Sequence, residues 1–333
     1  MTDKVGTIRD VARMTGLSTA TVSRVMNGNP KVNPEMRAEV LRVAKQLNYV
    51  PNPAARALST RRSKTVATII PTIEHSVFAK FITAIEQTLA ARGYNLVLAI
   101  SNAELTREMA AAEQLVAMGA EAFILTGATH SGELLDMLER RSIPVVFTSI
   151  FDGASAVPTI GYDNTALATA AIEYLHGNGH RTIAVAHGPT AESDRTAARC
   201  RGVLLASSDE IETPLVEVAL SVEGGREAAR RILEMSPRPS AILCLSDVLA
   251  LGVMFQLQSM GLTIPDDISI MGFDNLDWSK DSHPSLTTID LPATRMGDVA
   301  ARQVVDRLET SAPMTSTRLP ARIVERESVR RVT

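Results

Sequence analysis

Cysteine is nearly absent from this sequence: only Cys200 and Cys244 occur, far apart and outside any CxxC or Cys/His ligand spacing. That excludes a disulfide framework and a zinc-finger type of site, and leaves two thiols that read as small core residues of a reduced compartment. Aromatic residues are scarce as well, at 4% with one tryptophan. The six histidines (His75, His130, His176, His180, His187 and His283) form no HxH or HExxH set, so each reads as a surface or capping residue. GxSxG and GxxxxGK[ST] are missing, and Gly224-Gly225 before a helix reads as a cap signal rather than a nucleotide fingerprint. The expectation is therefore a non-enzyme with no catalytic residue, metal or cofactor. MTDKVGTIRD has no apolar signal region and no apolar run is long enough to span a bilayer, which places the chain in the cytoplasm with no membrane partner.

What is present is an uneven distribution of charge. The net charge is -3, yet residues 1–62 hold eleven Lys/Arg against four Asp/Glu, leaving +7 there and -10 on the rest. A small basic module that meets a polyanion, attached to an acidic body, fits this asymmetry.

The module divides into short helices. Thr7-Ile8-Arg9-Asp10 combines a hydroxyl cap with an acid three residues on, and Ile8, Val11 and Ala12 give one apolar face. Thr15-Gly16-Leu17 ends that helix, and Ser18 caps a second whose inward residues are Val22, Val25 and Met26. A third starts at Asn33-Pro34-Glu35, with Val40, Leu41, Ala44 and Leu47 as its buried stripe. The first two form a helix-turn-helix unit, in which the start of the second helix enters the major groove. Thr19, Ala20, Ser23 and Arg24 then face outward. Arg24 offers two donors to guanine, and Thr19 and Ala20 offer contacts to thymine methyls or short polar edges. Ser18, Thr21 and Asn27 suit phosphate oxygens, and Thr7 joins this DNA-facing set. A solvated helix face is the competing reading.

The segment NYVPNPAARALS bears on that choice. Asn52 caps a helix of about two turns, too short to hold alone in water, and Leu58 is an apolar residue that needs somewhere to insert. A wedge between base steps of a kinked minor groove is one use, and a linker packed on its neighbour is the other. TIRDVARMTGLSTATVSRVMNG followed by LNYVPNPAARAL resembles the headpiece and hinge of the LacI/GalR family of bacterial transcription regulators, in order and spacing. The resemblance implies a homodimer on a near-palindromic double-stranded DNA operator. It places Thr19 and Ala20 at the main base-reading positions and Arg24 at a near-invariant arginine, with Asn52, Ala55, Arg56 and Leu58 in hinge helices that order on DNA.

From Ser63 onward, strand-like runs alternate with helical segments, the pattern of parallel sheets with helices on both faces. Two such sets predict two doubly wound parallel-sheet subdomains, with ligand in the crevice at their carboxyl strand ends. The fold class expected is α/β: a three-helix headpiece (1–50), a hinge helix and linker (51–62) and a core (63–333), which the resemblance makes periplasmic-binding-protein-like. Subdomain one is expected at about 63–161 and 293–318, and subdomain two at about 162–290 and 319–333. The chain ends soon after the last crossover without a leucine heptad, so a dimer is expected over a tetramer.

Arginine and carboxylate facing one cleft suit a polyhydroxylated ligand, since forked donors and paired acceptors hold vicinal hydroxyls. Arg195, Arg199 and Arg201 lie in GPTAESDRTAARCRG, and Asp247 and Asp274 lie at strand ends. Phe78 or Trp278 supplies a ring for the apolar face of a sugar, while Asp247 reads equally well as a helix cap. By resemblance, Arg199 and Asp274 match the effector-binding arginine and aspartate, Phe78 a pocket aromatic and Ser246 a polar contact. Between Gly188 and Arg199 the chain is one residue longer than familiar members, which displaces Ser193 and Arg195 from their counterparts. Val77 stands where some purine-binding members place an aromatic, against a stacked nucleobase. A sugar, sugar acid or sugar phosphate is the expected effector, with the extra arginines favouring an anion. A solute-binding or sensor protein of the same core fold is the other reading, and the basic N-terminus in place of a secretion signal weighs against it.

Overall fold

The structure, a computed structural model, describes residues 6–29, 31–50, 62–73 and 76–332. Asn52, Ala55, Arg56 and Leu58 of the expected hinge, and His75, lie outside the described residues. Two compact units divide at Lys64/Thr65.

The first unit holds α1 (Ile8–Thr15), α2 (Thr19–Met26) and α3 (Pro34–Gln46). Local chemistry starts and stops each one. At α1, the Asp10 N–H donates to Thr7 Oγ1 at 3.3 Å and the Thr7 N–H donates to Asp10 Oδ2 at 3.0 Å, a reciprocal capping box. Gly16, at φ 66°, takes the left-handed conformation that ends α1. Ser18 caps α2, and Asn33 caps α3 by accepting from the Glu35 N–H at 2.8 Å. Val11, Val22, Val25, Val40 and Val43 are at most 2% exposed and form the core of this unit. Leu41, expected inside, is 47% exposed. The helical period puts 40, 43, 44 and 47 on one face, and Leu41 stands about 100° away from Val40.

The second unit begins with a six-stranded parallel sheet in the order β11-β5-β4-β3-β1-β2. Its strands are β1 (Thr65–Ile70), β2 (Asn95–Ile100), β3 (Ala122–Thr126), β4 (Val145–Thr148), β5 (Thr159–Gly161) and β11 (Thr317–Arg318). The helices α4 (Ser76–Ala91), α5 (Leu105–Ala117), α6 (Gly132–Arg140) and α11 (Ala293–Thr310) accompany it. A four-stranded parallel sheet follows, β7-β6-β8-β9, made of β6 (Ile183–His187), β7 (Leu215–Glu217), β8 (Ala241–Cys244) and β9 (Ser269–Met271). Its helices are α7 (Asn164–Gly177), α8 (Asp194–Ala206), α9 (Val222–Leu233) and α10 (Asp247–Ser259). Between these lobes β10 (Thr288–Asp290) and β12 (Arg322–Val324) form an antiparallel pair. In each main sheet the strand order reverses beside the first strand, which opens a crevice at the carboxyl ends.

Close helix contact accounts for Gly225, one of the two glycines that read as a cap signal, while a Cβ on Gly224 would meet the Ala219 carbonyl just ahead of its own helix. Ser221 caps α9, and Gly224 and Gly225 lie buried within that helix. A Cβ on Gly225 would meet the Leu249 carbonyl, and one on Gly252 would meet the Val222 carbonyl, so α9 and α10 approach through bare backbone. The histidine expectation is corrected at three positions, one of them His130, whose side chain is 1% exposed with Nδ1 3.0 Å from Glu108 Oε2. His180 and His187 are 0% and 4% exposed, and His180 is held between the Ser240 hydroxyl at 2.9 Å and the Arg330 carbonyl at 3.2 Å. Cys200 and Cys244 are both buried and free, and burial pushes the Cys200 thiol up to about 11. Among the described residues no helix is long and apolar enough to cross a membrane.

Candidate functional site

On the first unit, the outer face of α2 is open to solvent. Thr19, Ala20 and Arg24 are exposed, and their side chains bond to no described residue. Ser18 and Thr21 are committed to each other. The Thr21 N–H donates to Ser18 Oγ at 3.1 Å, and the two hydroxyls lie 2.9 Å apart. Thr7 Oγ1 donates to Asp10 Oδ2 at 2.7 Å, and Asn27 Nδ2 donates weakly to Ser23 Oγ at 3.4 Å. One hydroxyl of the Ser18/Thr21 pair and the second N–H of Asn27 remain free to donate to a phosphate oxygen, whereas the Thr7 hydroxyl proton is already given to Asp10.

On the second unit a cavity of about 460 Å³ opens between the lobes at the carboxyl strand ends. It brings together Phe78, Ser193, Arg195, Arg199, Ser246 and Asp274. Arg199 is buried and locked by its neighbours: Nε donates to Asn164 Oδ1 at 2.9 Å and Nη1 to the Leu245 carbonyl at 2.8 Å. Its guanidinium lies 3.9 Å over the Phe273 ring and 3.9 Å from Asp274 Oδ1. Asp274 Oδ2 in turn accepts from the Ser246 hydroxyl at 2.9 Å. Burial pushes the Asp274 carboxyl up, and Arg199 and Ser246 pull it back. The result is a cation and an anion held side by side at the cavity wall, a donor–acceptor edge suited to neighbouring hydroxyls.

Arg195 has a different neighbour. Its Nη1 donates to Asp194 Oδ1 at 2.8 Å, so its charge is already opposed, and burial pushes its guanidinium down. Asp194 Oδ2 also accepts from the Ala128 N–H at 2.6 Å, fastening the start of α8 to the loop after β3. The arginine surplus expected from the sequence therefore shrinks where it faces the ligand.

Two expected residues do not line the cavity. Trp278 sits in a short 3-10 turn (Asp277–Lys280) and packs on the core of the second lobe. The chain turns away after Asp274 because the Leu276 N–H is pinned to Asp247 Oδ2 at 2.8 Å. Asp247 is 0% exposed and accepts a second bond from the Thr288 hydroxyl at 2.6 Å. Burial, then the neighbouring charge of Asp274, pushes its carboxyl up to about 7. It is neither a wall residue nor the cap of α10, a role that Ser246 fills by accepting from the Val248 N–H.

Sequence reasoning missed Tyr162, Asn102 and Glu192 on the wall, and Asn164 behind Arg199. Burial pushes the Tyr162 phenol up while Arg199 pulls it down, so the hydroxyl is a neutral donor beside the guanidinium. Asn102, Ala103, Ser149 and Asp274 all have positive φ (52°, 60°, 66° and 141°). Each such residue costs about 1–3 kcal/mol, and such strain gathers at ligand sites. Among the described residues no cluster of His, Cys, Asp and Glu could hold a metal ion.

Comparison with known proteins gives two family matches. Residues 7–52 match bacterial regulatory proteins of the lacI family, and residues 63–327 match the periplasmic binding proteins and sugar binding domain of the LacI family. Catabolite control protein A of Priestia megaterium is 32% identical over 329 residues, covering 97% of this chain and 99% of its own. The HTH-type transcriptional repressor PurR of Edwardsiella ictaluri is 32% identical over 335 residues, covering 98% and 97%. Among solved structures, a LacI-family transcriptional regulator from Silicibacter pomeroyi superposes with a TM-score of 0.88 at 28% identity, over 98% of this chain and all of that one. The lac repressor dimer bound to operator and the anti-inducer ONPF shares the fold, with a TM-score of 0.86 at 24% identity over 98% and 100% of the two chains.

Proposed function

This chain belongs to the LacI family of bacterial regulatory proteins, and on that premise we propose that it is a transcriptional repressor whose operator affinity is set by a small metabolite. The observation that supports this best is the pairing, in one chain, of an exposed and unpartnered α2 face with a cleft walled by Arg199 and Asp274. Thr19, Ala20 and Arg24 read base edges. Thr7, Ser18, Thr21, Ser23 and Asn27 set the helix on the phosphates. Asn52, Ala55, Arg56 and Leu58 act as the hinge that orders on DNA in a homodimer. Residues 1–50, 51–62 and 63–333 are headpiece, hinge and core, and the core's lobes exchange chain near 161–164, 290–292 and 318–322.

The effector is a sugar, sugar acid or sugar phosphate. Arg199, Asp274, Ser246 and Tyr162 hold its hydroxyls, and Phe78 covers its apolar face. Ser193 and Arg195 close the cleft from α8. Binding fixes the angle between the lobes, which sets the spacing of the paired hinges. An effector that binds the two lobe arrangements unequally shifts operator affinity by that difference, typically about 1–3 kcal/mol per site. The chain acts by binding alone, without chemistry on its ligand, in the cytoplasm where its DNA lies.

The test has two steps. Duplexes selected from a random pool by the full chain should be near-palindromic, and binding should vanish on deletion of residues 1–62 and weaken strongly in Leu58→Ala. A panel of ribose, glucose, gluconate and glucose 6-phosphate is then scored by thermal shift and by change in duplex affinity. Selected duplexes still bound after the deletion would sink the DNA assignment, and a panel without effect would sink the effector class.

A further inference from the structure

Asn275 follows the cleft aspartate and does not line the cavity, yet both ends of its amide are engaged. Nδ2 donates to Asp290 Oδ1 at 2.9 Å, and Oδ1 accepts from Arg326 Nη2 at 2.7 Å. Asp290 ends β10, and Arg326 stands two residues beyond the end of β12. These strands are the antiparallel pair through which the chain passes between the lobes. One side chain beside the cleft carboxylate thus bridges the end of β10 and the segment that follows β12.

The backbone of the same turn is fastened to β10. The Asp274 N–H donates to the Ile289 carbonyl at 3.0 Å and the Asn275 N–H to Thr288 Oγ1 at 3.3 Å. Asp274 and Asn275 are both held at positive φ, 141° and 55°. Such a pair persists only where the surroundings over-determine it. A shift of Asp274 toward a ligand therefore cannot be absorbed within the turn, and it carries Asn275 and its two partners along.

We propose that Asn275 is a positioning residue that converts occupancy of the cleft, felt at Asp274, into the angle between the lobes by holding Asp290 and Arg326. The inference rests on the effector reading above and deepens it. Asparagine has one donor end and one acceptor end, so the bridge has a direction that can be reversed. Asn275→Asp keeps the acceptor for Arg326 and turns a carboxylate onto Asp290. Adding Asp290→Asn restores a donor there, and the bond then runs from residue 290 to residue 275. The cation paired with Asp290, Arg322 at 3.9 Å, is exposed, and losing it costs little.

Hydrogen exchange on the full chain, read at residues 286–292 and 320–326, is measured beside binding of the selected duplex with and without each compound of the sugar panel. In Asn275→Asp, exchange of these strands should quicken tenfold or more. The ligand-induced change in duplex affinity should fall below twofold, while the ligand's own Kd moves less than threefold. The double variant Asn275→Asp/Asp290→Asn should recover both. A single variant that exchanges and responds like wild type overturns the proposal, as does a double variant no better than the single. If no panel compound alters wild-type duplex binding, the effector reading fails, and the exchange comparison still decides whether the bridge holds the crossover.

Discussion

Replacing Asp247 with asparagine should make the protein more stable in mild base and leave it nearly unchanged in acid. The native carboxyl is pushed up to about 7 from an ordinary 3.8, by burial first and by Asp274 second. Between those values the folded chain keeps a proton that the unfolded chain releases, so unfolding free energy falls as pH rises through the window. The gap of about three pH units, at about 1.4 kcal/mol each, sets the loss above pH 7 on the order of 4 kcal/mol. Asparagine fits the site without a charge. Its carbonyl accepts from the Leu276 N–H, and its amide donates to Thr288, whose hydroxyl can turn to accept. Urea unfolding of both chains from pH 4 to 8 reads the effect, since the titrating groups away from this pair are common to both chains and cancel in the difference, and Asp274 titrates together with residue 247 as one unit. The curves should meet near pH 4 and separate to a few kcal/mol at pH 8 in favour of the variant. Parallel curves, or a variant less stable at pH 8, would refute the reasoning.

Other residues give sharper single outcomes. Arg199→Met strands Asp274 without its cation, which should cost about 3–5 kcal/mol in thermal or urea unfolding and abolish panel binding by calorimetry. Adding Asp274→Asn should restore stability and leave binding lost. Gly202→Ala places a Cβ against the Thr165 carbonyl and the Ala168 side chain where α8 meets α7. Overpacking of about 1–3 kcal/mol should outweigh alanine's helix preference of about 1 kcal/mol and lower the Tm. Arg24→Ala should weaken discrimination at one base pair by about 1–3 kcal/mol in duplex competition, with an unchanged Tm, because the exposed side chain has no described partner.

Local chemistry was legible in the sequence and tertiary placement only partly so. Thr7, Ser18 and Asn33 were readable as caps because a cap is decided within three residues. Leu41 was misplaced because its hydrophobicity outweighed the helical period, and Val43, which satisfies that period, went unread. Trp278 was expected at the cleft as a rare ring near Asp274, but one backbone bond to Asp247 directs the chain into the core instead. Asp247 and Asp274 look alike in sequence, each an acid at a strand end. What separates them is Thr288, forty-one residues further on, whose hydroxyl occupies the first. Tyr162 and Asn164 reach the site only because β5 ends beside α8, which no window of sequence reports.

The division of labour across α2 has a consequence for how such a protein changes over generations. Val22 and Val25 carry the fold, and Ser18 with Thr21 carries the cap. Thr19, Ala20 and Arg24 carry neither, so a substitution there leaves the folding free energy almost untouched. The address that the helix reads can therefore drift without endangering the molecule that reads it. A duplicated copy could acquire a new set of genes through these three exposed side chains while inheriting its stability and its ligand response whole.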